Sequence, residues 1–309
     1  MILCITPNPA LDRTLVVPQI RVGEVLRASQ SIVAAGGKGL NVARVASALD
    51  GAVTCAGFLG GHSGRTVAEL AEREGLSSAW TWIEGETRTC VILAEEAGRD
   101  ATVINAPGPT VTRDDWRRMR AQVIHAASAA AIVCLSGSLP PGADARDYAS
   151  LLTALRQTDR PIWVDTSGAA LAAALTVEGL GIKINGNEAG AIVGAQVEQP
   201  RQALLAARDL HRRTGGPVVL TLGGVGAVLA DATGSWHAQP PVLRVVSTAG
   251  SGDACLAGLV VALTEAAGPA EALGRAVAAG ATNALSIGGG KIDLDQYDEI
   301  LRQTTVSSM

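Results

Sequence analysis

The chain has 309 residues, of which 48% are apolar and only 17% are charged, so it can bury a large core and is not expected to be disordered. The 25 basic and 29 acidic residues give a net charge of −4 without a basic run, which argues against nucleic acid as a partner. The five cysteines include no C-x-x-C pair, and no apolar run reads as a signal peptide or a membrane span, so we expect a reduced, soluble, cytoplasmic protein without membrane contact.

Short apolar runs alternate with longer helical patterns along the chain, which is typical of β-α-β units around a mostly parallel sheet. Strands are predicted at residues 2–5, 53–58, 130–135, 162–164, 182–185, 218–222 and 242–246. Helices are predicted at residues 40–49, 65–74, 114–126, 146–156, 201–213 and 251–266, with further helices to the C-terminus. The fold class is therefore α/β.

Two stretches interrupt this alternation. Residues 15–17 and 80–105 contain strand-like runs without helices between them, and the second carries a hairpin signal, E-E-A-G-R-D, at residues 95–100. We interpret them as a small antiparallel sheet with one covered face. Such a sheet can act as a lid over a site or as a subunit interface.

The segment S-T-A-G-S-G-D-A-C-L-A-G, residues 247–258, combines a glycine turn with a carboxylate at the start of an apolar helix. Because the run at 242–246 is predicted as a strand, the segment is expected at a strand-to-helix junction. Gly250 and Gly252 allow a tight turn, and the helix start adds partial positive charge, which together make an anion site. Asp253 is then either a helix cap or a base that accepts a proton from a hydroxyl.

A second glycine cluster, A-A-G-G-K-G-L-N-V-A, occupies residues 34–43 and also precedes a helix. It is not a Walker A loop, because the spacing differs and no hydroxyl follows Lys38. Gly37 and its neighbours beside this lysine suit a ligand with hydroxyls and a phosphate. Lys38 would supply a point charge, and Asn41 a donor and an acceptor. The alternative is a simple glycine turn.

Two further motifs follow predicted strands. In K-I-N-G-N-E, residues 183–188, Asn185 and Glu188 are three residues apart and either direct a carboxylate toward hydrated magnesium or form a helix capping box. The run T-L-G-G-V-G, residues 221–226, has only part of a G-x-G-x-x-G pattern and joins two strand-like runs. It therefore does not predict a dinucleotide site.

Three polar positions are candidates for a sugar phosphate. Asp12 follows the first strand and could bind two hydroxyls, and Arg88 lies in the predicted small sheet, where its guanidinium could reach a phosphate. Each is otherwise a surface charge. Ser138 belongs to S-G-S-L-P-P-G, at the end of the strand predicted at 130–135, where ligands bind in open α/β sheets.

The chain resembles the ribokinase/PfkB carbohydrate kinases, and among them the 1-phosphofructokinase and tagatose-6-phosphate kinase branch. Nearly the whole length takes part. The motifs that occur here in the family's order are N-P-A-L-D, A-G-G-K-G-L-N-V-A, F-L-G, G-E-T-R, S-G-S-L-P-P-G, K-x-N-x-x-E, T-L-G-x-x-G and S-T-x-G-x-G-D-x-x-x-A-G.

The resemblance implies a fold, a set of ligands and a role for each motif. The fold would be a three-layer α/β/α sandwich in a single domain over 1–309, with lid segments near 11–33 and 80–106 that pair two subunits into a homodimer. The ligands would be ATP, Mg²⁺ and a small sugar phosphate, with a K⁺ requirement left open. The resemblance implies that Asp253 is the catalytic base and that the anion hole is formed by Gly250, Ser251 and Gly252. The residues implied on the ATP side, where Glu188 would act on Mg²⁺ through water or phosphate, are Lys183, Asn185, Glu188, Thr221, Gly223, Gly226 and Gly252. The residues implied on the sugar-phosphate side are Asp12, Gly37, Lys38, Asn41, Arg88, Ser138 and Asp253.

The implied activity is ATP-dependent phosphorylation of a phosphorylated ketohexose, first of all fructose 1-phosphate to fructose 1,6-bisphosphate. Lys38 favours this branch, because the minor 6-phosphofructokinases tend to carry glycine there. Kinases for tagatose 6-phosphate or fructose 6-phosphate are the alternatives, followed by a non-catalytic sugar-phosphate sensor. The chain departs from the family pattern at four positions: Ser251 replaces alanine, Ile184 proline, Cys90 asparagine and Ala106 glutamate. The change at Cys90 removes a polar group on the sugar side of the implied site.

Overall fold

The computed structural model describes residues 1–96 and 101–309. The strands are β1 (Ile2–Thr6), β2 (Ala10–Val17), β3 (Gln30–Gly36), β4 (Val53–Gly60), β5 (Ser77–Ile83), β6 (Arg88–Glu95), β7 (Ala101–Ile104), β8 (Ile132–Ser136), β9 (Ile162–Asp165), β10 (Gly181–Asn185), β11 (Val218–Thr221), β12 (Ala227–Asp231), β13 (Gly234–Gln239) and β14 (Thr305–Ser308). The helices are α1 (Lys38–Ala48), α2 (Gly61–Arg73), α3 (Arg113–Ser128), α4 (Ala145–Arg156), α5 (Gly168–Ala174), α6 (Gly186–Val193), α7 (Pro200–Thr214), α8 (Ser251–Thr264), α9 (Pro269–Asn283) and α10 (Leu294–Gln303).

The large sheet has the strand order β14-β13-β12-β11-β10-β9-β8-β1-β4-β5. Strands from β11 through β5 run parallel, and β12, β13 and β14 add an antiparallel end. Successive residues of β1 enter different cores, since Ile2 packs in one cluster and Leu3 in the other. Helices α1, α8 and α9 cover one face, and α3, α4 and α7 cover the other. This three-layer arrangement confirms the predicted fold class.

The core of the sheet contains a row of thiols. Cys4 of β1 is in register with Cys55 of β4 and with Cys134 of β8. All of the cysteines in the described part of the chain are buried and free, in agreement with the expected reduced state. In the same part of the chain, the helices are too short or too polar to cross a bilayer.

The smaller sheet has the order β3-β2-β6-β7. Strand β2 pairs with β3 antiparallel and with β6 parallel, and β6 pairs with β7 antiparallel. The sheet is therefore mixed, and the prediction of a purely antiparallel sheet is wrong, because β2 and β6 come from distant segments of the chain and are not joined by a hairpin. The hairpin predicted at 95–100 falls mostly on residues 97–100, outside the described residues. The second predicted segment, 80–105, begins too early, because its first residues belong to β5. This strand follows the crossover helix α2 and pairs parallel with β4 in the large sheet.

The predicted strand at 242–246 is also wrong. Residues there are irregular, and Val242 is fully exposed. The strand lies earlier, in β13, and ends directly before Pro240 and Pro241, which lack the N–H groups that a sheet ladder needs. The segment 247–258 is therefore a loop-to-helix junction. The C-terminus is also not all helical, because α10 is followed by β14 at the edge of the large sheet.

Candidate active site

The candidate site lies along the carboxyl ends of the parallel strands, where α/β sheets bind ligands. Strand β9 ends at Asp165 and β10 at Asn185, while α1 begins at Lys38 and α8 at Ser251. The glycine cluster connects β3 of the small sheet to α1, so the chain passes from one sheet to the other at the site itself.

Asp165 joins the two lysines of the site. Its Oδ1 lies 2.7 Å from Lys38 Nζ and its Oδ2 lies 2.7 Å from Lys183 Nζ. Burial would raise the pKa of the fully buried Asp165, but the charges of Lys183 and Lys38 outweigh this effect and hold that pKa below its ordinary value. For both lysines, burial lowers the pKa, but the negative charges of Asp165 and Asp253 together with smaller effects outweigh it, so that the pKa is raised. Both ammonium groups are therefore charged and available to anionic oxygens.

Asp165 is a site residue that the motif analysis missed. It stands in no glycine-rich motif, and its lysine partners are 127 and 18 positions away. The available signal was its place at the end of a buried strand, followed by T-S-G. A carboxylate at that strand end faces the same edge as the ligand-binding loops.

Asp253 is buried in the first turn of α8, with an exposed fraction of 6%. Its Oδ2 accepts a hydrogen bond of 2.8 Å from Asn41 Nδ2. Burial and the nearby charge of Asp165 raise the pKa of Asp253 to about 6, against the opposing effects of Lys38, Lys183 and the Asn41 hydrogen bond. A carboxylate with this pKa can hold a proton briefly at neutral pH, as a general base must.

The cap interpretation of Asp253 is wrong. The N-cap of α8 is Gly250, with φ of 78°, and within residues 1–96 and 101–309 no side chain caps this helix. Ser251 N donates to Thr248 O at 3.2 Å and Ala254 N to Gly250 O at 2.9 Å, which leaves the N–H groups of Gly252 and Asp253 to meet an anion. A side chain at Gly250 would approach the Cα of Gly289 to 2.5 Å, and one at Gly252 would approach Lys183 Nζ to 2.5 Å. Both glycines permit close approaches at the helix start.

Asn185 and Glu188 form a capping box at the start of α6. Glu188 N donates to Asn185 Oδ1 at 2.9 Å, and Asn185 N donates to Glu188 Oε2 at 2.9 Å. The negative charge of Glu188 also acts on Lys38, raising its pKa further. The two alternatives for this motif are therefore compatible, because a capping carboxylate retains lone pairs that can face a metal or its water.

The glycines after β11 leave room beside this capping box. Thr221 is in register with Asn185 on the neighbouring strand. A side chain at Gly223 would meet nothing within 4 Å, whereas one at Gly226, with φ of 98°, would overlap the carbonyl of Ala238. Gly223 thus borders open space, and Gly226 is required by the backbone turn.

The sugar-phosphate candidates lie where the small sheet meets the large one. Burial raises the pKa of Asp12 to about 6, although Arg88 and Arg44 act in the opposite direction. The Arg88 guanidinium donates to the carbonyls of Asn8 at 2.8 Å, Ala106 at 3.1 Å and Pro9 at 3.4 Å. Arg88 is thus partly used to join the chain segments at this junction, which the sequence did not predict.

Three smaller features complete this side of the site. Asn8 is buried and its Nδ2 donates to Pro107 O at 3.0 Å and to the exposed Ser138 Oγ at 3.5 Å. Gly37 has φ of 110°, and a side chain there would approach Thr6 Cγ2 to 2.9 Å. Cys90 is buried in register with Asp12, so the replaced family position lies next to the candidate hydroxyl ligand.

The predicted site residues are thus brought to one edge in three groups. Asp253, Asn41, Lys38 and Lys183 are linked through hydrogen bonds and charge in the centre. Asn185, Glu188, Thr221 and Gly223 lie at the ends of β10 and β11. Asp12, Arg88 and Ser138 lie toward the small sheet.

Comparison with known proteins agrees with this arrangement. The family profile described as pfkB family carbohydrate kinase matches residues 7–295. The 1-phosphofructokinase of Vibrio cholerae is 33% identical over 100% of this chain and 97% of its own, and a tagatose-6-phosphate kinase of Staphylococcus epidermidis is 31% identical over 99% of each.

Among solved structures, phosphofructokinase-2 of Escherichia coli in complex with potassium superposes with a TM-score of 0.92 at 30% identity, covering 97% of this chain and 98% of that one. The family implies ATP and a divalent metal as reaction partners. With the buried carboxylate at a helix start and two lysines beside it, the chain belongs to the pfkB family of carbohydrate kinases and is an ATP-dependent sugar kinase.

Proposed function

We propose that the protein is a 1-phosphofructokinase, which transfers the γ-phosphoryl group of ATP to the free primary hydroxyl of fructose 1-phosphate. The observation that carries the reaction type is the Asp253 carboxylate, with a pKa of about 6, beside the N-terminus of α8 and the Lys38-Asp165-Lys183 group. The sugar preference is supported by Lys38 in the glycine cluster and by the relatives named 1-phosphofructokinase.

In this mechanism Asp253 accepts the hydroxyl proton as the oxygen attacks phosphorus in line. The N–H groups of Gly252 and Asp253 in the first turn of α8 would stabilise the oxygens of the transferring group, while the Ser251 N–H donates to Thr248 O at 3.2 Å and holds the turn. Lys38 and Lys183 remain charged because Asp165 lies between them, and their positive charge opposes the negative charge of the phosphates.

ATP and magnesium fit the residues at the ends of β10 and β11. The open space beside Gly223 would hold part of the nucleotide, with Thr221 and Gly226 on its border. Mg²⁺ commonly binds through one or two carboxylates together with substrate phosphates and water. Glu188 would hold it through water or phosphate, and the ion would supply positive charge beside the phosphates.

On the sugar side, Asp12 would accept hydrogen bonds from hydroxyls, and Asn41, Ser138 and the Gly37 turn would border the sugar. Arg88 would supply positive charge to the substrate phosphate while its remaining contacts hold the junction between the sheets. The buried thiol of Cys90 lies where the family often has a polar amide, which leaves the hydroxyl contacts to Asp12.

The test of the substrate is a set of steady-state rates with fructose 1-phosphate, tagatose 6-phosphate and fructose 6-phosphate at fixed ATP and Mg²⁺. We expect kcat/KM to be at least about tenfold higher for fructose 1-phosphate. A higher value for tagatose 6-phosphate would replace this proposal by the second candidate, which the relative from Staphylococcus epidermidis favours. No ADP release with any of the three would instead indicate a sensor.

The test of the base is Asp253→Asn. We expect kcat to fall by about 10² to 10⁴ while ATP still binds, as measured by calorimetry. Asp293→Asn is the matched control, because Asp293 caps α10 and asparagine caps equally well. Near-normal turnover of Asp253→Asn would refute the proposed role.

We further propose that two copies of the chain pair through the small sheet and that K⁺ raises the rate. Leu15, Val33, Val91 and Ile104 share one face of this sheet and are half-buried or exposed, so a second copy would remove apolar surface from water.

The proposed effect of K⁺ on the rate is motivated by the potassium complex of the Escherichia coli relative. Rates in K⁺ and in tetramethylammonium at equal ionic strength test it, and equal rates would contradict it.

A further inference from the structure

Arg44 lies on α1 behind the candidate base, with 14% of its side chain exposed. Its contacts reach four separate parts of the chain. Nη2 donates to Ala35 O at 2.6 Å, Nη1 to Asn41 Oδ1 at 3.1 Å and Gly289 O at 3.3 Å, and Nε and Nη2 to the Glu74 carboxylate at 2.6 and 3.2 Å. Few side chains other than arginine can supply so many donors in one plane.

Three of these partners, Ala35, Asn41 and Gly289, border the candidate site. Ala35 precedes Gly36, whose Cα faces Asp12 so closely that a side chain there would overlap the carboxyl group. Gly289 is the residue against which Gly250 packs at the start of α8. One guanidinium therefore joins the end of the small sheet, the turn beside the anion site and the amide that contacts Asp253.

The contact with Asn41 also fixes which way its amide faces. An arginine can only donate, so it must contact Oδ1, and this leaves Nδ2 to donate to Asp253 Oδ2 at 2.8 Å. With the amide reversed, two oxygens would face each other at the carboxylate. On the side away from Asn41, both carboxylate oxygens of Glu74 accept hydrogen bonds from the Arg44 guanidinium and fix its orientation.

We propose that Arg44 is a positioning residue for phosphoryl transfer, which orients Asn41 and, through Asn41, the Asp253 carboxylate. Its other contacts hold the end of the small sheet and the Gly289 turn in place around that carboxylate. This inference rests on the proposed role of Asp253 as base. Arg44 itself lies behind Asn41 and is not assigned a contact with substrate.

The test compares Arg44→Gln and Arg44→Lys with Arg275→Gln. Arg275 is also an arginine held by two carboxylates, Glu265 and Glu271, but it lies on α9 away from the site. We expect Arg44→Gln to lower kcat by about 10- to 100-fold with less change in the KM for ATP, and Arg275→Gln to keep the normal kcat.

The pH profile of kcat distinguishes positioning from general destabilisation. Asp165, Lys38 and Lys183 are the charged groups that act on Asp253, and they are unchanged in these variants. Because the charge of Arg44 also lowers the pKa of Asp12, the effect on Asp253 alone is the shift that persists in Arg44→Lys, which keeps that charge. Loss of the fixed Asn41 hydrogen bond should raise the pKa of Asp253 and move the acid limb to higher pH by about half a unit or more. An unmoved limb with normal kcat in folded Arg44→Gln would overturn the proposal.

Two outcomes separate the roles further. Arg44→Lys keeps the charge but not the planar set of donors, so complete recovery of kcat and of the acid limb would also overturn the proposal. If Arg44→Gln does not fold, Glu74→Gln provides the milder change, and we expect the same direction of shift with a smaller size. Loss of turnover in Asp253→Asn together with unchanged Arg44 and Glu74 variants would leave the proposed function standing and refute this inference alone.

Discussion

Two ammonium groups share one buried carboxylate at the centre of the cleft, and this makes Asp165 the residue on which the local charge balance depends. We expect Asp165→Asn to lower the free energy of unfolding by about 3 kcal/mol, because Lys183 would remain buried without a counter-charge. Lys38 contributes less, since 40% of its side chain is exposed. Urea unfolding at pH 7 measures the change.

The control for this prediction is Asp209→Asn. Asp209 also pairs with two cations, Arg212 and Arg213, but all three side chains are partly exposed on α7, so we expect a loss below about 1 kcal/mol. Equal losses at both positions would contradict the prediction. Since the folded pKa of Asp165 is lowered, its stabilisation is present at neutral pH and is lost only as the pH falls through that lower value.

Two carboxyl groups with pKa values of about 6 lie in the site, and both should shape the pH dependence of the enzyme. Because Asp253 must be ionised to act as base, we expect kcat/KM to fall as the pH drops below about 6. Asp12→Asn should remove one titrating group and make the acid limb less steep. Rates between about pH 5 and 8 measure this, and a flat profile to pH 5 would contradict it.

The raised pKa values of Asp12 and Asp253 lower the free energy of unfolding at neutral pH, whereas the lowered pKa of Asp165 raises it. Burial raises the folded pKa of Asp12 and Asp253, so protonation favours the folded state. Their unfavourable contribution grows as the pH rises from about 4 to about 6, and is complete above that. Asp12→Asn should therefore raise the melting temperature at pH 7.

At this scale the sequence was informative where a motif surrounds the residue. Asp253, Lys38 and Asn41 stand in glycine-rich segments whose chemistry is readable from neighbours. The roles of Asp165 and Arg44 cannot be read from their neighbours in sequence, because they depend on partners that the fold brings together. Arg44 and Gly289, for example, are 245 positions apart. No spacing rule predicts such contacts.

Glu188 closes the capping box at the start of α6, and the proposed function adds a role toward Mg²⁺ for the same carboxylate. Glu188→Gln keeps the capping box, which glutamine also forms, so we expect stability to stay within about 0.5 kcal/mol while the apparent affinity for Mg²⁺ falls. Glu188→Ala should lose both, with about 1 kcal/mol of stability. Thermal unfolding and rates against Mg²⁺ concentration measure the two effects.

Gln202→Ala provides the matched control, because Gln202 closes the capping box of α7. It should lose stability without any change in the Mg²⁺ dependence. A normal Mg²⁺ dependence in Glu188→Gln would mean that this carboxylate is only a cap.

Among the elements, buried apolar runs predicted the parallel strands well, as for β1 and β11. The error at residues 242–246 arose because β-branched residues there follow two prolines, which prevent sheet pairing more strongly than the side chains favour it. The true strand, β13, contains Ser235 and His237 and shows no apolar run. Its identity depends on β12 beside it, which a local pattern does not reveal.

For the molecule as a whole, the proposed pairing of two copies depends on the face of the small sheet that carries Val33, Val91 and Ile104. We expect Ile104→Glu to convert a dimer into a monomer in light scattering, because it places a charge on a 56% exposed residue of that face. Leu205→Glu, at a 64% exposed position on α7, should leave the mass unchanged. A monomeric parent protein would refute the pairing outright.

The two-sheet organisation was only partly readable from sequence. The strands of the small sheet come from segments separated by α1, β4 and α2, and β5 between them belongs to the large sheet. Which sheet a short strand joins depends on crossover geometry, and the pattern of its own residues does not record it.

Each of the two sheets contains at least one buried cysteine, so the opening of each sheet can be followed separately by the labelling of its own thiols. Cys4, Cys55 and Cys134 lie in register at the centre of the large sheet, so a thiol reagent can reach them only when that sheet opens. Cys90 lies in the small sheet opposite Asp12. The rate at which each thiol is labelled, resolved by peptide mass, would therefore time the opening of the small sheet against the unfolding of the whole protein, without any introduced probe.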